Sequence, residues 1–246
     1  MRIGVFDSGI GGLTVLKELV RKYPNNEYIY VGDTLNIPYG TKSLDELKKL
    51  SSNIIDYLIK EEADLIIIAC GTISSNIIEY IKSKYSIPII DIITPTIKYI
   101  KKNNYNKIGV LATPMTINSK VFDNKLANVE VISTSAPKLV PAIEGNNLAD
   151  INTALSEYLN KYINSDIQVL VLGCTHYPIV ERNIIEYLGT NIQILNMGIP
   201  ILDEIEISDN IKGEVTINVT KLNNDTINNI KRILGNLNYD IKTIVL

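Results

Sequence analysis

The chemistry open to this chain depends on few reactive side chains, because its 246 residues include two cysteines, one histidine and no tryptophan. The cysteines are Cys70 and Cys174, and the histidine, His176, follows the second cysteine by two positions. A cysteine can remove a proton from carbon as a thiolate or return one as a thiol when its pKa lies near the working pH. Two such groups on opposite faces of one carbon would invert its configuration without a metal or an organic cofactor.

Each cysteine ends an apolar segment that the pattern predicts to be a strand, at 65–69 and at 170–172. In parallel α/β sheets, ligands bind beyond the carboxyl ends of the strands. Each cysteine also precedes a predicted helix, whose first N–H groups favour the thiolate. A buried structural thiol is the alternative for either cysteine taken alone. Short polar side chains also lie at or just after the ends of predicted strands: Asp7, Ser8, Thr72, Thr113 and Thr175.

Three further features each allow two interpretations. His176 is either a hydrogen-bonded structural histidine or a group that adjusts the protonation of Cys174. Asp7 is either a helix N-cap or a helper in proton transfer. The glycine-rich loop 9–12 lacks the third glycine of a dinucleotide-binding fingerprint, because Thr14 occupies that position. A tight strand-to-helix turn, with backbone donors for a substrate carboxylate, explains this loop better.

The elements that carry these residues alternate between strand and helix, which predicts an α/β fold with mainly parallel sheets and flanking helices. The sequence also repeats: Gly109 follows Gly4 by 105 residues in similar strands, and Cys174 follows Cys70 by 104. We therefore expect two pseudo-symmetric domains with the active site in the cleft between them. The first comprises residues 1–95 plus a returning segment 205–246, and the second comprises residues 96–204.

Composition excludes several classes of protein. The 24 basic and 27 acidic residues give a net charge of −3, which argues against a nucleic-acid binder held by bulk charge. Two cysteines and one histidine fall short of the usual four-ligand zinc site. The longest apolar runs, such as 87–93, are too short to span a membrane, and Asp7 interrupts the N-terminus too early for a secretory segment. We expect a cytoplasmic protein that needs no cofactor.

Several motifs occur in order along most of the chain: Ile3–Thr14, Asp33-Thr34, Pro38-Tyr39-Gly40, Ala69-Cys70-x-Thr72 and Gly173–Pro178. They resemble the motifs of the glutamate racemases, within the aspartate/glutamate racemase superfamily. The histidine that follows Cys174-Thr175 is similar to glutamate racemases, whereas aspartate racemases tend to carry glutamate there. The resemblance implies racemisation of glutamate, which would supply D-glutamate for peptidoglycan, with a small acidic amino acid as ligand and a homodimer as the assembly.

The resemblance also implies roles for individual residues. Cys70 and Cys174 would be the catalytic pair, one for each enantiomer, and Asp7 and His176 would assist their proton transfers. Glu144 stands where the family has a glutamate near the pocket, with a surface charge as the alternative. The residues that would bind substrate are Asp7, Ser8, Pro38, Tyr39, Gly40, Gly71, Thr72, Thr113, Thr116, Thr175 and His176.

The chain departs from the family pattern at three positions. Gly71 stands where asparagine is usual, Asn36 where arginine is usual, and Ala136 where cysteine is common. Loss of the asparagine amide would cost substrate binding about 1.5–3 kcal/mol unless another donor replaces it. The alternatives are therefore racemisation of aspartate or another acidic amino acid, a Cys/His hydrolase or transferase with Cys174 as nucleophile, and an amino-acid-binding protein that has lost turnover.

Overall fold

The computed structural model describes residues 1–205 and 213–246, and its strands form two sheets. The strands are β1 (Arg2–Asp7), β2 (Glu27–Gly32), β3 (Leu65–Ile68), β4 (Ile89–Asp91), β5 (Lys107–Ala112), β6 (Glu130–Ser135), β7 (Val169–Leu172), β8 (Gln193–Asn196), β9 (Glu214–Val219) and β10 (Asp240–Thr243). The helices are α1 (Leu13–Lys22), α2 (Leu44–Lys60), α3 (Gly71–Asn76), α4 (Ile78–Lys84), α5 (Ile93–Lys102), α6 (Pro114–Asn118), α7 (Val121–Lys125), α8 (Leu139–Glu144), α9 (Leu148–Leu159), α10 (Glu181–Leu188), α11 (Gly198–Ile201) and α12 (Asn224–Leu234).

The two sheets repeat one topology. One sheet has the order β10-β9-β2-β1-β3-β4, and the other has the order β6-β5-β7-β8. The strand pairs within both sheets are parallel. The order β2-β1-β3-β4 therefore matches β6-β5-β7-β8 strand for strand, and this explains why the cysteine-bearing segments recur at nearly constant spacing. The prediction of an α/β fold with mainly parallel sheets is confirmed.

The apolar strands are buried because helices cover both faces of each sheet, as parallel sheets require. All four residues of β3 and all four of β7 are buried. A central core joins the inner faces of the two sheets, and its residues come from both halves, such as Val5 and Tyr28 from one and Val110 and Leu195 from the other. Helices α5 and α11 pack against each other, and both contribute buried residues to this core. The halves are thus held together by a shared apolar interior.

The end of the chain returns to the six-stranded sheet. β9 pairs in parallel with β2, and β10 extends the sheet beyond β9. Helix α12 connects these two strands and packs against α1. The segment predicted to return to the first domain, residues 205–246, includes residues 206–212, which lie outside the described residues.

Local sequence signals account for some of the element boundaries. Helix α2 begins after Ser43, whose hydroxyl accepts the Glu46 N–H while the Glu46 carboxylate accepts the Ser43 N–H, a capping box. The spacing of apolar residues after Cys70 predicts one helix to about residue 85. The structure instead has α3 and α4, separated at Ile77, where φ is −132° and ψ is 11°. Among residues 1–205 and 213–246, no helix has the length and apolar character that crossing a membrane requires.

Candidate active site

A cleft of about 340 Å³ lies where the carboxyl ends of β1 and β3 face those of β5 and β7. Of the residues predicted from the sequence, Thr116 does not line this cleft: it is buried, with its hydroxyl 3.1 Å from that of Thr113, which it supports from behind. The predicted residues that do line it are Asp7, Ser8, Pro38, Tyr39, Gly40, Cys70, Gly71, Thr72, Thr113, Glu144, Cys174, Thr175 and His176.

Cys70 occupies the turn between β3 and α3 and is only 4% exposed. Its thiol donates to the hydroxyl oxygen of Ser8 across 3.6 Å. Burial raises the pKa of Cys70 to about 12, and the negative charge of Asp7 contributes in the same direction. The expectation that the start of α3 favours a thiolate does not hold at Cys70, because the backbone N–H of Ile73 lowers the pKa by less than burial raises it. Cys70 is therefore a neutral thiol at neutral pH.

Cys174 has a different environment, because it heads a chain of polar side chains. Its Sγ lies 3.8 Å from Nδ1 of His176, and Nε2 of His176 lies 2.8 Å from Oε1 of Glu144. Burial lowers the pKa of His176, but the hydrogen bonds with Cys174 and Glu144 outweigh it and raise this pKa to about 10. Burial opposes ionisation of Glu144 as well, yet the hydrogen bond from His176 leaves its pKa below the ordinary value. His176 is thus a buried cation paired with a carboxylate.

Asp7, at the end of β1, is 1% exposed and connects the two halves. Its Oδ2 accepts the Gly12 N–H at 2.6 Å and the Thr175 hydroxyl at 3.2 Å. The Gly12 N–H, a candidate donor for a substrate carboxylate, is therefore already used by the protein. Oδ1 of Asp7 is buried and has no hydrogen-bond partner within residues 1–205 and 213–246. A buried carboxylate oxygen without a donor is unfavourable, so this atom is suited to a polar group of a ligand.

Tyr39 lies against the cleft, but its hydroxyl is directed away from it. The hydroxyl donates to Oδ2 of Asp33 at 2.7 Å, and Asn36 and Thr220 also donate to this buried carboxylate. Burial raises the pKa of Tyr39, and the charge of Asp33 adds to the effect. Asp33 is not among the site residues predicted from the sequence, although it directly follows β2, and a polar residue at the end of a strand is a recognisable signal of a site. The peptide bond between Ile37 and Pro38 is cis.

Threonine hydroxyls from the two halves meet at the wall of the cleft. The hydroxyls of Thr72 and Thr113 lie 3.3 Å apart, although the two residues follow strands of different sheets. A second contact between the halves involves Thr14, which does not line the cleft: its hydroxyl donates to the carbonyl oxygen of Thr175 at 2.9 Å. Both contacts join the two halves close to the thiol-bearing turns.

Two glycines allow close approach at these turns. A Cβ at Gly71 would lie 2.8 Å from the carbonyl oxygen of Gly173, a backbone atom of the other thiol-bearing turn. A Cβ at Gly11 would lie 2.4 Å from Nδ1 of His176. The sequence suggested only that Gly71 removes an amide. The structure shows in addition that the two turns approach so closely that any side chain at Gly71 would require one of them to move.

The arrangement supports acid–base chemistry on a small, charged molecule. The cleft combines two thiols, a buried carboxylate, an imidazolium and several hydroxyls, and its thiols come from equivalent strand ends of the two halves. No group of three His, Cys, Asp or Glu side chains in the described part of the chain has an arrangement suited to hold a metal ion.

Comparison with known proteins agrees with the motifs. The family model described as Asp/Glu/Hydantoin racemase matches residues 3–208. The glutamate racemase of Clostridium botulinum is 39% identical over 211 residues, covering 82% of this chain and 81% of the relative. That of Fusobacterium nucleatum is 39% identical over 235 residues, covering 89% of this chain and 88% of the relative.

A solved structure agrees over nearly the whole chain. The glutamate racemase of Francisella tularensis, determined in complex with D-glutamate, superimposes with a TM-score of 0.87 at 32% identity. The match covers 99% of this chain and 97% of that one. The resemblance to glutamate racemases that the motifs suggested is confirmed, and this chain belongs to the Asp/Glu/hydantoin racemase family.

Proposed function

We propose that this protein interconverts L- and D-glutamate by proton transfer between two cysteines. The observation that carries the proposal is that Cys70 and Cys174, at equivalent strand ends of two pseudo-symmetric halves, line one cleft together with Asp7, a buried carboxylate. Relatives at 39% identity are glutamate racemases, and the similar structure from Francisella tularensis holds D-glutamate. The family resemblance implies that the D-glutamate is used to make peptidoglycan.

The proposed reaction moves one proton in each half-step. A thiolate on one side of the substrate takes the α-proton, so that the C–H bond breaks and its electron pair stays on the substrate. The thiol on the opposite side then donates its proton to the same carbon, and a C–H bond of inverted configuration forms. The first sulfur ends as a thiol and the second as a thiolate, so the reverse reaction uses the same two groups in exchanged roles. General acid–base groups of this kind need no external reactant.

The two thiols are prepared differently for this work. Cys70 is a neutral thiol with a high pKa, so a cationic substrate ammonium near Asp7 is needed to make its thiolate accessible. Cys174 instead has a protonated imidazole 3.8 Å from its sulfur, and that imidazole is a source of protons for this side of the cleft. Asp7 supports the first half of the reaction, and the His176–Glu144 pair supports the second.

Binding of glutamate is assigned to the groups that line the cleft. Oδ1 of Asp7 is the acceptor for the α-ammonium, because it is buried and has no donor among the described residues. Polar side chains around the cleft are the donors for the two carboxylates: Ser8, Thr72 and Thr113. Thr175 also lines the cleft, but its hydroxyl donates to Asp7. Pro38, Tyr39 and Gly40 form the wall beside Cys70. Gly71 contributes its backbone only.

We further propose that residues 1–95 with 205–246, and residues 96–204, are domains that close on the substrate and exclude water. Two findings support this division: β9 and β10 join the first sheet, and the cleft lies between the strand ends of the two sheets. Helix α5 spans the boundary at residue 95 and provides a connection between the halves. A cytoplasmic location and a homodimer remain predictions from the sequence.

Circular dichroism tests the activity directly. Purified protein is incubated with L-glutamate and separately with D-glutamate, and both signals should decay to zero because enantiomers have equal free energies. In D₂O each enantiomer should acquire one α-deuteron, measured by mass spectrometry. The Cys70→Ala variant, prepared in parallel, controls for a contaminating racemase.

Aspartate, run beside glutamate, decides the substrate. A decay with aspartate and not with glutamate would assign the activity to the shorter amino acid. Folded protein that neither racemises nor exchanges the α-proton of either amino acid would refute the proposal. Trapping of an acyl-enzyme on Cys174 would instead identify a hydrolase or transferase.

A further inference from the structure

The C-terminal helix α12 reaches across to the segment that carries Glu144. The side-chain amide of Asn229 donates to the carbonyl oxygen of Glu144 at 3.0 Å. The guanidinium of Arg232 donates to the carbonyl oxygen of Ile143 at 2.7 Å and also contacts the side-chain oxygen of Asn146. Two side chains one helical turn apart on α12 therefore hold the last turn of α8 and Asn146, the second residue after it.

These bonds add side-chain donors to the end of α8, a helix of only six residues, Leu139–Glu144. The last carbonyl groups of a helix have no intrahelical donors, and here the N–H groups of residues 145–147 bond to the carbonyl oxygens of residues 141–143. Arg232 adds a second donor to the Ile143 carbonyl, and Asn229 provides a side-chain donor to the Glu144 carbonyl. The chain then turns at Asn146 with a φ of 50°, so the helix cannot continue. A cation at a helix C-terminus also interacts favourably with the helix dipole. Arg232 and Asn229 thus connect the end of this short helix to α12.

The contact crosses between the two halves. Helix α12 lies between β9 and β10 of the six-stranded sheet, and Lys17 of α1 donates to the carbonyl oxygen of Ile233 at 2.8 Å. Glu144 and His176 belong instead to segments of the four-stranded sheet. The position of the Glu144 carboxylate therefore depends on a helix of the opposite half.

We propose that Arg232 and Asn229 are positioning residues that hold the Glu144 carboxylate on Nε2 of His176, and so couple the contact between the halves to proton transfer at Cys174. The catalytic consequence rests on the proposed function, whereas the positioning itself does not. Loss of Arg232 frees the end of α8, the carboxylate moves away from the imidazole, and the charge pair weakens. In the unmodified protein, closure of the two halves would assemble the Cys174 side of the site.

The single histidine makes this positioning measurable without an activity assay. Protein labelled with [15N]histidine gives the imidazole signals of His176 alone, and these report its protonation during a pH titration. The charged or titratable groups that face His176 are Cys174 in its own turn, Glu144 from α8 and, through Thr175, Asp7 from β1. In the unmodified protein the imidazolium should persist to about pH 10.

Arg232→Ala should lower this titration midpoint by about one pH unit or more, toward the ordinary value of about 6.5. Lys231→Ala removes an exposed charge from the same helix and should leave the midpoint unchanged. In a Glu144→Gln background the carboxylate no longer raises the midpoint, although Cys174 still does, and Arg232→Ala should shift it no further. Asn229→Ala removes one bond, so it provides a milder test if Arg232→Ala fails to fold.

Kinetics provide the second measurement. Arg232→Ala should lower kcat for glutamate about tenfold or more while KM changes little, because a small misplacement of a catalytic partner is costly to rate. Arg232→Lys should recover part of the loss, and the effect should vanish in the Glu144→Gln background.

Two results would overturn the inference: an Arg232→Ala midpoint equal to that of Lys231→Ala, or effects that add fully to those of Glu144→Gln. Protein that titrates as expected but does not racemise glutamate would refute the proposed function and leave the positioning role supported.

Discussion

At the scale of single residues, the two cysteines are alike in position and unlike in environment. The thiol of Cys70 donates to the hydroxyl of Ser8, and burial together with the negative charge of Asp7 raises its pKa. Cys174 is next to an imidazolium that Glu144 holds in place. Equivalent strand ends therefore present two thiols in different electrostatic environments. The proposed mechanism requires both, because one thiol would remove the proton and the other would return it.

Replacement of either thiol should abolish racemisation. Cys70→Ala and Cys174→Ala should each lower kcat/KM by at least about a thousandfold, because each removes a group that general acid–base catalysis requires. The measurement is the circular dichroism assay with both enantiomers, and far-UV dichroism verifies the fold. Near-normal turnover in either folded variant would rule out the two-thiol mechanism.

Gly71 should be intolerant of even a methyl group. In Gly71→Ala the new Cβ would lie 2.8 Å from the carbonyl oxygen of Gly173, so one thiol-bearing turn must shift. Overpacking of this kind costs about 1–3 kcal/mol of folding free energy, measurable by urea unfolding. Gly40→Ala is the matched control for stability, because its Cβ meets no atom within 4 Å. Equal stability of the two variants would show that the turns can move apart freely.

At the scale of elements, local chemistry explains where some helices begin. Side-chain caps precede α2, α9 and α12, and α2 starts at a full capping box formed by Ser43 and Glu46. The break between α3 and α4 has no comparable signal, because Ile77 is an ordinary apolar residue with unusual backbone angles. There the packing of both short helices on the sheet determines the conformation.

The capping box offers a prediction that concerns stability alone. Ser43→Ala should lower the free energy of unfolding by about 1 kcal/mol, because the Glu46 N–H loses its acceptor at the exposed start of α2. Racemisation should be unchanged. Ser156→Ala, in the exposed interior of α9, should be neutral or slightly stabilising because alanine is the better helix former. A Ser43→Ala variant as stable as the unmodified protein would contradict this account of the helix start.

At the scale of the whole molecule, the chain builds the same four-stranded arrangement twice and then returns to the first copy. The return adds β9 and β10 to one edge of the first sheet and places α12 against α1. Without the returning segment, β2 would lose its pairing with β9 along one edge. Tyr28 and Tyr30 of β2 are fully buried in the complete fold. The last segment is therefore part of the fold of the first half as well as a contact to the second.

A chain that ends at residue 205 should fail to fold into a stable monomer. An exposed apolar strand edge promotes aggregation, and the truncation also removes the apolar face of α12 from the central core. The measurement is the yield of soluble protein and its thermal unfolding. Val245→Ala, at a position that is 96% exposed, should leave both unchanged. A truncated chain with a cooperative unfolding transition would show that the first half is complete without its returning strands.

The fold class, the family and the residues that could carry the chemistry can be predicted from the sequence alone. Apolar strands that end in short polar side chains follow from local pattern, and the recurrence of a cysteine after 104 residues indicates a duplicated half. These features depend on neighbouring residues and on strand periodicity, and both can be recognised in the sequence.

The interactions between the candidate groups are visible only in the folded chain. The pairing of Glu144 with His176 joins residues 32 positions apart, and the bonds from α12 to α8 join residues more than 80 positions apart. The raised pKa of Cys70 arises from burial, and the role of Gly71 arises from its approach to Gly173. Burial, approach and charge pairing depend on distances between remote segments, and only the folded chain sets those distances.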